Sequence, residues 1–326
     1  MNTLKTNKEK DISSGMSIVV PCLNEAEVIE QYCSSIDEYA GKVDFPIELV
    51  FVDDGSTDDT GKMIGSYAFQ NMKAARLIVL SRNFGSHAAI RAGVANSSYD
   101  ICTWMGSDLQ EPIEFLEKSY KKIAEGYDAV YIEKSSIRVS KINRGLSKVY
   151  SALMRKYAVK NYSSGGISNI VFNQKIKELL NANVESNSSI MLQIMDAGYK
   201  NITISMDYKE RSAGVSKWTL SKKIKLFIDS FVAFSFMPIR FVSLIGILMF
   251  LAGFLIGFAS IINKLVNPAV PIGYSTLASI MALGFGITNI SLGIIAEYLW
   301  RAYDAARKRP PFIISEIKEI VHMEEP

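Results

Sequence analysis

Leu49-Val50-Phe51-Val52-Asp53-Asp54-Gly55-Ser56-Thr57-Asp58-Asp59-Thr60 is an apolar, β-branched run that stops on two carboxylates and a glycine. A short run of this kind, followed by turn residues and a helix-compatible segment, predicts a buried parallel strand feeding a helix. The end of such a strand faces ligand. In open α/β sheets small molecules bind outside the carboxyl ends of the strands, where Gly55 lets the chain turn and Asp53 and Asp54 can accept hydrogen bonds from a base or ribose. Ser56, Thr57 and Asp58 are expected to cap the following helix.

The same arrangement recurs along the chain. Upstream, Ser17-Ile18-Val19-Val20-Pro21 runs into Cys22-Leu23-Asn24-Glu25 before a helical pattern over 26–39. Downstream, Arg76-Leu77-Ile78-Val79-Leu80 ends in Ser81-Arg82-Asn83-Phe84-Gly85 ahead of an alanine-rich helix over 86–95. A fourth strand over 101–105 enters Gly106-Ser107-Asp108-Leu109-Gln110-Glu111-Pro112, with a helix over 114–125. Strand, loop and helix alternating in this way predict an α/β fold with a mostly parallel sheet, flanking helices and right-handed crossovers. Residues 128–132 read as a further strand, 140–157 as a helix with basic residues outward, and 165–169 as a loop before Ile170-Val171-Phe172.

The apolar excess of the 326 residues lies almost wholly beyond Phe231. Residues 241–262 and 272–296 carry no charge, and each is longer than the roughly 20 residues that span a bilayer. Both are expected to be transmembrane helices. Between them only Lys264 is charged, whereas Arg301, Arg307, Lys308 and Arg309 follow the second, so the positive-inside rule puts both termini in the cytosol. From 218 to 236, Lys222, Lys223 and Lys225 alternate with Leu220, Ile224, Phe227, Ile228 and Phe231 at helical spacing, as in an amphipathic helix lying among lipid headgroups. Gly253-Phe254-Leu255-Ile256-Gly257 has the small-xxx-small spacing that suits packing within the hairpin or a homo-oligomer.

A net charge of +3, with no long basic run or interleaved aromatics, argues against nucleic acid as a partner. Cys22, Cys33 and Cys102 include no CxxC pair, which supports neither a disulfide framework nor a structural zinc site. Residues 1–11 are polar and lack the apolar core of a signal peptide. His87 and His322 have no partner spacing that suggests a ligand pair or a catalytic dyad.

The motifs together resemble the family 2 glycosyltransferases of GT-A fold. Val20-Pro21-Cys22-Leu23-Asn24-Glu25 is similar to that family's opening nucleotide loop, Asp53-Asp54-Gly55-Ser56 to its second, and Asp108-Leu109-Gln110-Glu111-Pro112 to its metal and diphosphate loop. Arg211-Ser212-Ala213-Gly214-Val215-Ser216-Lys217-Trp218, followed by two spans, resembles the branch that loads a sugar onto a polyprenyl phosphate, such as dolichyl-phosphate mannose synthases and bacterial undecaprenyl-phosphate glucosyltransferases. The resemblance implies a nucleotide-sugar donor, a UDP-sugar such as UDP-glucose, a polyprenyl-phosphate acceptor and Mg²⁺ or Mn²⁺. It implies donor contacts from Pro21, Asn24, Glu25, Asp53, Asp54, Arg82, Ser107, Gln110 and Ser216. Asp108 is the expected metal ligand, and Asp108, Arg211 and Lys217 the catalytic set.

Two positions depart from the pattern: Gly106 replaces the first aspartate of Asp-x-Asp, and Ser168 stands where relatives usually carry an aspartate near the reaction centre. The expected layout is a flexible tail over 1–15, a cytosolic catalytic domain over 16–217, a juxtamembrane helix over 218–237, a transmembrane hairpin over 238–300 and a cytosolic tail over 301–326, all at the inner membrane. A non-catalytic scaffold that kept the nucleotide pocket and a processive polysaccharide synthase are the competing readings. The synthase lacks its Gln-x-x-Arg-Trp motif here.

Overall fold

The computed structural model describes residues 15–108, 110–134, 152, 155, 167–183, 189–208, 237–266, 274–307 and 309–321. The expected juxtamembrane helix and most of the helix over 140–157 lie outside them. The chain divides into two compact units, residues 1–219 with 310–326, and residues 220–309.

In the first unit the described strands form one sheet. They are β1 (Met16–Cys22), β2 (Ile47–Asp53), β3 (Ala74–Leu80), β4 (Ile101–Trp104), β5 (Ala129–Lys134), β6 (Ile167–Phe172), β7 (Asn201–Met206) and β8 (Ile314–Val321), in the order β7-β5-β6-β4-β1-β2-β3-β8. Strands β1 to β4 pair in parallel, as does β5 with β7, while β6 and β8 run antiparallel to their neighbours. The mixed, mostly parallel α/β sheet expected from the sequence is therefore present. Every residue of β2 is buried, which is why Leu49 to Val52 reads as an unbroken apolar run.

Helices α1 (Ile29–Ala40), α2 (Thr60–Ser66), α3 (Ser86–Ala95) and α4 (Phe115–Ala124) follow β1 to β4, and α5 (Gln174–Ala182) and α6 (Ile190–Asp196) lie between β6 and β7. Their apolar faces close a core that includes Tyr32, Phe51, Phe115 and Ile64. Asn173 caps α5 by accepting from the backbone of Lys175 and Ile176.

Strand β8 was expected to be part of a tail. Instead it pairs with β3 from Leu80↔Ile314 to Ala75↔Val321, and Ser81 N donates to the Ile313 carbonyl at 2.9 Å. The physical reason is the open edge of β3, whose backbone groups need partners.

In the second unit α7 (Met237–Val266) and α8 (Tyr274–Arg307) pack on each other. Along α7, Phe241, Leu244, Leu248, Leu251, Leu255, Phe258 and Ile262 are all exposed. Counted over the described residues alone, no helix is long and apolar enough to cross a membrane. The spanning expectation accordingly rests on the full sequence of each helix.

Candidate active site at the carboxyl edge of the sheet

Parallel pairing brings Cys22 opposite Asp53 and Asp53 opposite Val79, so the loops after β1, β2 and β3 share one edge. The first two loops are laced together by short bonds, and further bonds brace the second loop. Asn24 N donates to Ser56 Oγ at 3.0 Å, Glu25 N to Thr60 Oγ1 at 2.8 Å and Ala26 N to Asp58 Oδ2 at 3.2 Å. In return Thr57 N donates to Asn24 Oδ1 at 2.8 Å, and within the second loop Thr60 N donates to Asp58 Oδ1 at 3.1 Å. Asp53 Oδ1 accepts from Ser56 N at 2.8 Å. Asn24 has φ 53°, a left-handed conformation that asparagine tolerates better than most residues. Of the expected caps, Asp58 holds the first turn of α2, while Ser56 and Thr57 bind the β1 loop.

Asp53 and Asp54 sit side by side and do different work. Asp54 is buried, and its two oxygens accept Phe84 N at 2.7 Å and Gly85 N at 2.9 Å, which pins the loop after β3. Burial raises its pKa, and those two backbone donors oppose the rise. Gly55 lies between the two loops with φ +75°, and a Cβ there would come within 2.8 Å of the Arg82 carbonyl carbon and Asn83 N. Only glycine meets both demands. Arg82 is exposed, stacks its guanidinium 4.0 Å from the Phe84 ring centroid and donates to the Asn83 carbonyl.

The loop after β4 completes the edge. Ser107 is buried, Asp108 is half-buried, and Gln110 N lies 3.4 Å from Asp108 Oδ1. A Cβ on Gly106 would meet Asp108 Oδ1 at 3.3 Å. Among the described residues no group of three or more His, Cys, Asp or Glu side chains is placed to hold a metal ion. The donor set thus fits an ion held by one carboxylate and completed by substrate phosphates and water, a mode Mg²⁺ commonly uses, and does not fit a protein cage.

Beside this loop is a polar cluster absent from the expected site list. Glu111 is half-buried as a residue, yet its carboxyl group is enclosed. Its Oε1 lies 3.2 Å from Tyr208 OH, and its Oε2 accepts from Asn169 Nδ2 at 3.1 Å. Burial pushes its pKa to about 7, against the opposing bonds of Tyr208, Asn169 and the Gly106 backbone, with the charge of Asp108 adding to the rise. Ser168 joins through its hydroxyl, which donates to the Ile132 carbonyl at 3.0 Å and touches Tyr208 OH. Lys134 sits over the Tyr208 ring, 4.2 Å from its centroid. The sequence signal for this cluster is slight: Asn169 is one polar residue in the apolar run of β6. Nothing local marks Tyr208.

The structure therefore brings Pro21, Asn24, Glu25, Asp53, Asp54, Arg82, Ser107, Asp108 and Gln110 to the loops or strand ends of one edge. Arg211, Ser216 and Lys217 lie outside the described residues.

Comparison with known proteins identifies the family. The model for "Glycosyl transferase family 2" matches residues 17–185. An undecaprenyl-phosphate 4-deoxy-4-formamido-L-arabinose transferase of Proteus mirabilis is 28% identical over 93% of each chain. Two Bacillus subtilis proteins, the glycosyltransferase YkcC and the putative glycosyltransferase CsbB, are each 30% identical, over 92% of this chain and 93% and 91% of their own lengths. Among solved structures, a Pyrobaculum calidifontis mannosyltransferase in complex with GDP-Man and Mn²⁺ is 18% identical, covers 88% of this chain and 87% of its own, and has a TM-score of 0.47. On the family match, which takes in the four strand-end loops, and on the full-length relatives, the chain belongs to glycosyl transferase family 2.

Proposed function

We propose that the protein transfers a sugar, with inversion, from a nucleotide sugar to a polyprenyl phosphate at the cytosolic face of the inner membrane. The donor in this reading is a UDP-sugar, UDP-glucose or a relative of it. The observation that carries the reading is the gathering of the Asn24, Asp53, Arg82 and Asp108 loops on one sheet edge. Full-length likeness to a transferase named for undecaprenyl phosphate supports the acceptor.

In this reaction a phosphate oxygen of the lipid attacks the anomeric carbon, the bond from that carbon to the diphosphate breaks, and nucleoside diphosphate leaves with the bonding pair. A phosphate monoester has a second pKa near 6, so the nucleophile is largely ionised at neutral pH and needs no general base. Ser168 in place of a carboxylate is compatible with that. Asn24, Asp53 and Arg82 orient the nucleotide, and Asp108 with Gln110 faces the diphosphate. Asp108 would hold Mg²⁺ or Mn²⁺ together with the substrate phosphates, and the ion would supply charge neutralisation for the departing diphosphate. Arg211 and Lys217 add positive charge to the same group, a contribution that grows once water is excluded.

Residues 238–300 form the membrane hairpin in this reading. It is supported by the charge-free stretches over 241–262 and 272–296 and by the exposed apolar stripe of α7, too extensive for a surface in water. The lysines at 222, 223 and 225 lie at the anionic headgroups.

Membranes containing the protein are incubated with labelled UDP-glucose and other nucleotide sugars, with and without Mg²⁺ or Mn²⁺, and the lipid extract is counted. Labelled lipid is expected from one donor. No label from any donor favours a scaffold, and long polymer favours a processive synthase.

A further inference from the structure

The hydrogens around Glu111 can be counted one by one. Asn169 is fully buried, and its amide nitrogen gives its two hydrogens to the Trp104 carbonyl and to Glu111 Oε2, while its amide oxygen accepts from Ile170 N at 2.7 Å. Both ends of the amide are satisfied in that orientation, which makes Glu111 Oε2 an acceptor. From the other carboxyl oxygen a line of contacts leads away. Oε1 is 3.2 Å from Tyr208 OH, Tyr208 OH is against Ser168 Oγ, and Ser168 Oγ is 3.0 Å from the Ile132 carbonyl oxygen.

Three contacts join these four oxygens, and each needs one hydrogen. The two hydroxyls supply one apiece, and the carbonyl has none to give. With Glu111 ionised, one contact would set two oxygens together with no hydrogen between them. A proton on Oε1 removes the conflict: Glu111 donates to Tyr208, Tyr208 to Ser168, and Ser168 to Ile132.

We propose that Glu111 is a positioning residue that works as the neutral acid, its proton completing a hydrogen-bond chain that fastens the Asp108 loop to β6 and to the segment after β7. This rests on the sugar-transfer reading, since what the chain holds in place is the loop facing the diphosphate. The groups facing the carboxyl agree with a neutral acid. Burial and the neighbouring Asp108 on its own loop both favour the neutral form, and Tyr32 of α1 and Tyr208 are phenols whose own pKa values are raised. Lys134 of β5 lies over the Tyr208 ring. Ser168 thereby has a role that an aspartate there would disturb, because an ionised carboxylate cannot donate onward to Ile132.

The test uses the full-length protein in detergent or membranes with E111Q, E111A and Y208F. Glutamine mimics the protonated acid, donating an amide N–H to Tyr208 and accepting from Asn169. E111Q is therefore expected to keep kcat within about threefold of the parent, whereas E111A and Y208F lose about tenfold or more in kcat with donor KM changed less than about threefold. Infrared spectra at about pH 6 are expected to show a protonated-carboxyl C=O band in the parent that E111Q lacks, since burial keeps such an acid neutral above the usual range. A hundredfold or greater loss in E111Q, or no such band, overturns the proposal. If the parent labels no lipid at all, the sugar-transfer reading fails, and the infrared result still decides the protonation of Glu111.

Discussion

Asp54 and Phe84 are 30 residues apart in sequence, yet the carboxylate of one accepts the backbone N–H of the other at 2.7 Å. With the companion bond from Gly85, this ties the β2 loop to the β3 loop by a side chain that the sequence motif had suggested for the nucleotide. Asp54→Ala removes both acceptors and leaves two backbone donors without them. The expected cost is about 1 to 3 kcal/mol, since an unsatisfied buried donor costs roughly 1 to 3 and these two belong to half-buried residues that water can partly serve. Asp54→Asn keeps one acceptor oxygen and is expected to lose about half as much. Thermal melting of the two variants checks this, and equal stability of parent and Asp54→Ala would show that these bonds are dispensable.

Asp108 presents the opposite case. It is half-buried in a loop whose fold is held by neighbours such as Asn169, which bonds the Trp104 carbonyl. Asp108→Ala is expected to lower lipid loading by about a hundredfold or more, in the range seen when a group stabilising transition-state charge is removed. Its melting temperature should stay within a few degrees of the parent. Full activity would place the diphosphate loop elsewhere.

Glu111 gives stability a definite pH dependence. Its pKa rises from the ordinary 4.5 to about 7, chiefly through burial. The folded protein thus binds more protons than the unfolded chain between those values, and stability declines as pH rises through that window. The size is about 3 kcal/mol, taken as the shift times 1.36 kcal/mol per unit. Melting curves in detergent are expected to show the parent losing stability between about pH 5 and pH 8 and E111Q showing a flatter profile. A parent whose stability climbs over the same interval would contradict the assignment.

Strand β8 makes the residues after α8 part of the first unit. Ending the chain after Arg309 uncovers β3 and removes the ion pair of Glu319 with Arg76, 3.5 Å apart. That pair is worth little on its own. The open edge matters more, because unpaired strand groups recruit other chains. The truncated protein is expected to melt lower and to scatter light at concentrations where the parent stays clear.

The local pattern of the sequence marks β1 to β4 and the helices that follow them, but not α5, α6 or β7. Residues 86–95 were expected to be helical and are, because alanines and a glycine-led start leave little choice. The strand over 101–105 ends one residue earlier, at Trp104. Strand β8 is not legible in the sequence because Glu316, Lys318 and Glu319 give it the look of a solvated tail, and only the unpaired edge of β3 makes it a strand.

The sequence by itself determined the alternating α/β order, the two long apolar helices and the acidic and glycine-bearing loops, because each is written in local periodicity and turn chemistry. Tertiary structure alone decided how the carboxylates divide their work. Asp54 is committed to backbone donors 30 residues away, and Glu111 is enclosed by Asn169 and Tyr208, residues 58 and 97 positions distant. Hydrogen-bond partners and desolvation depend on what packing brings near, and no local pattern encodes them.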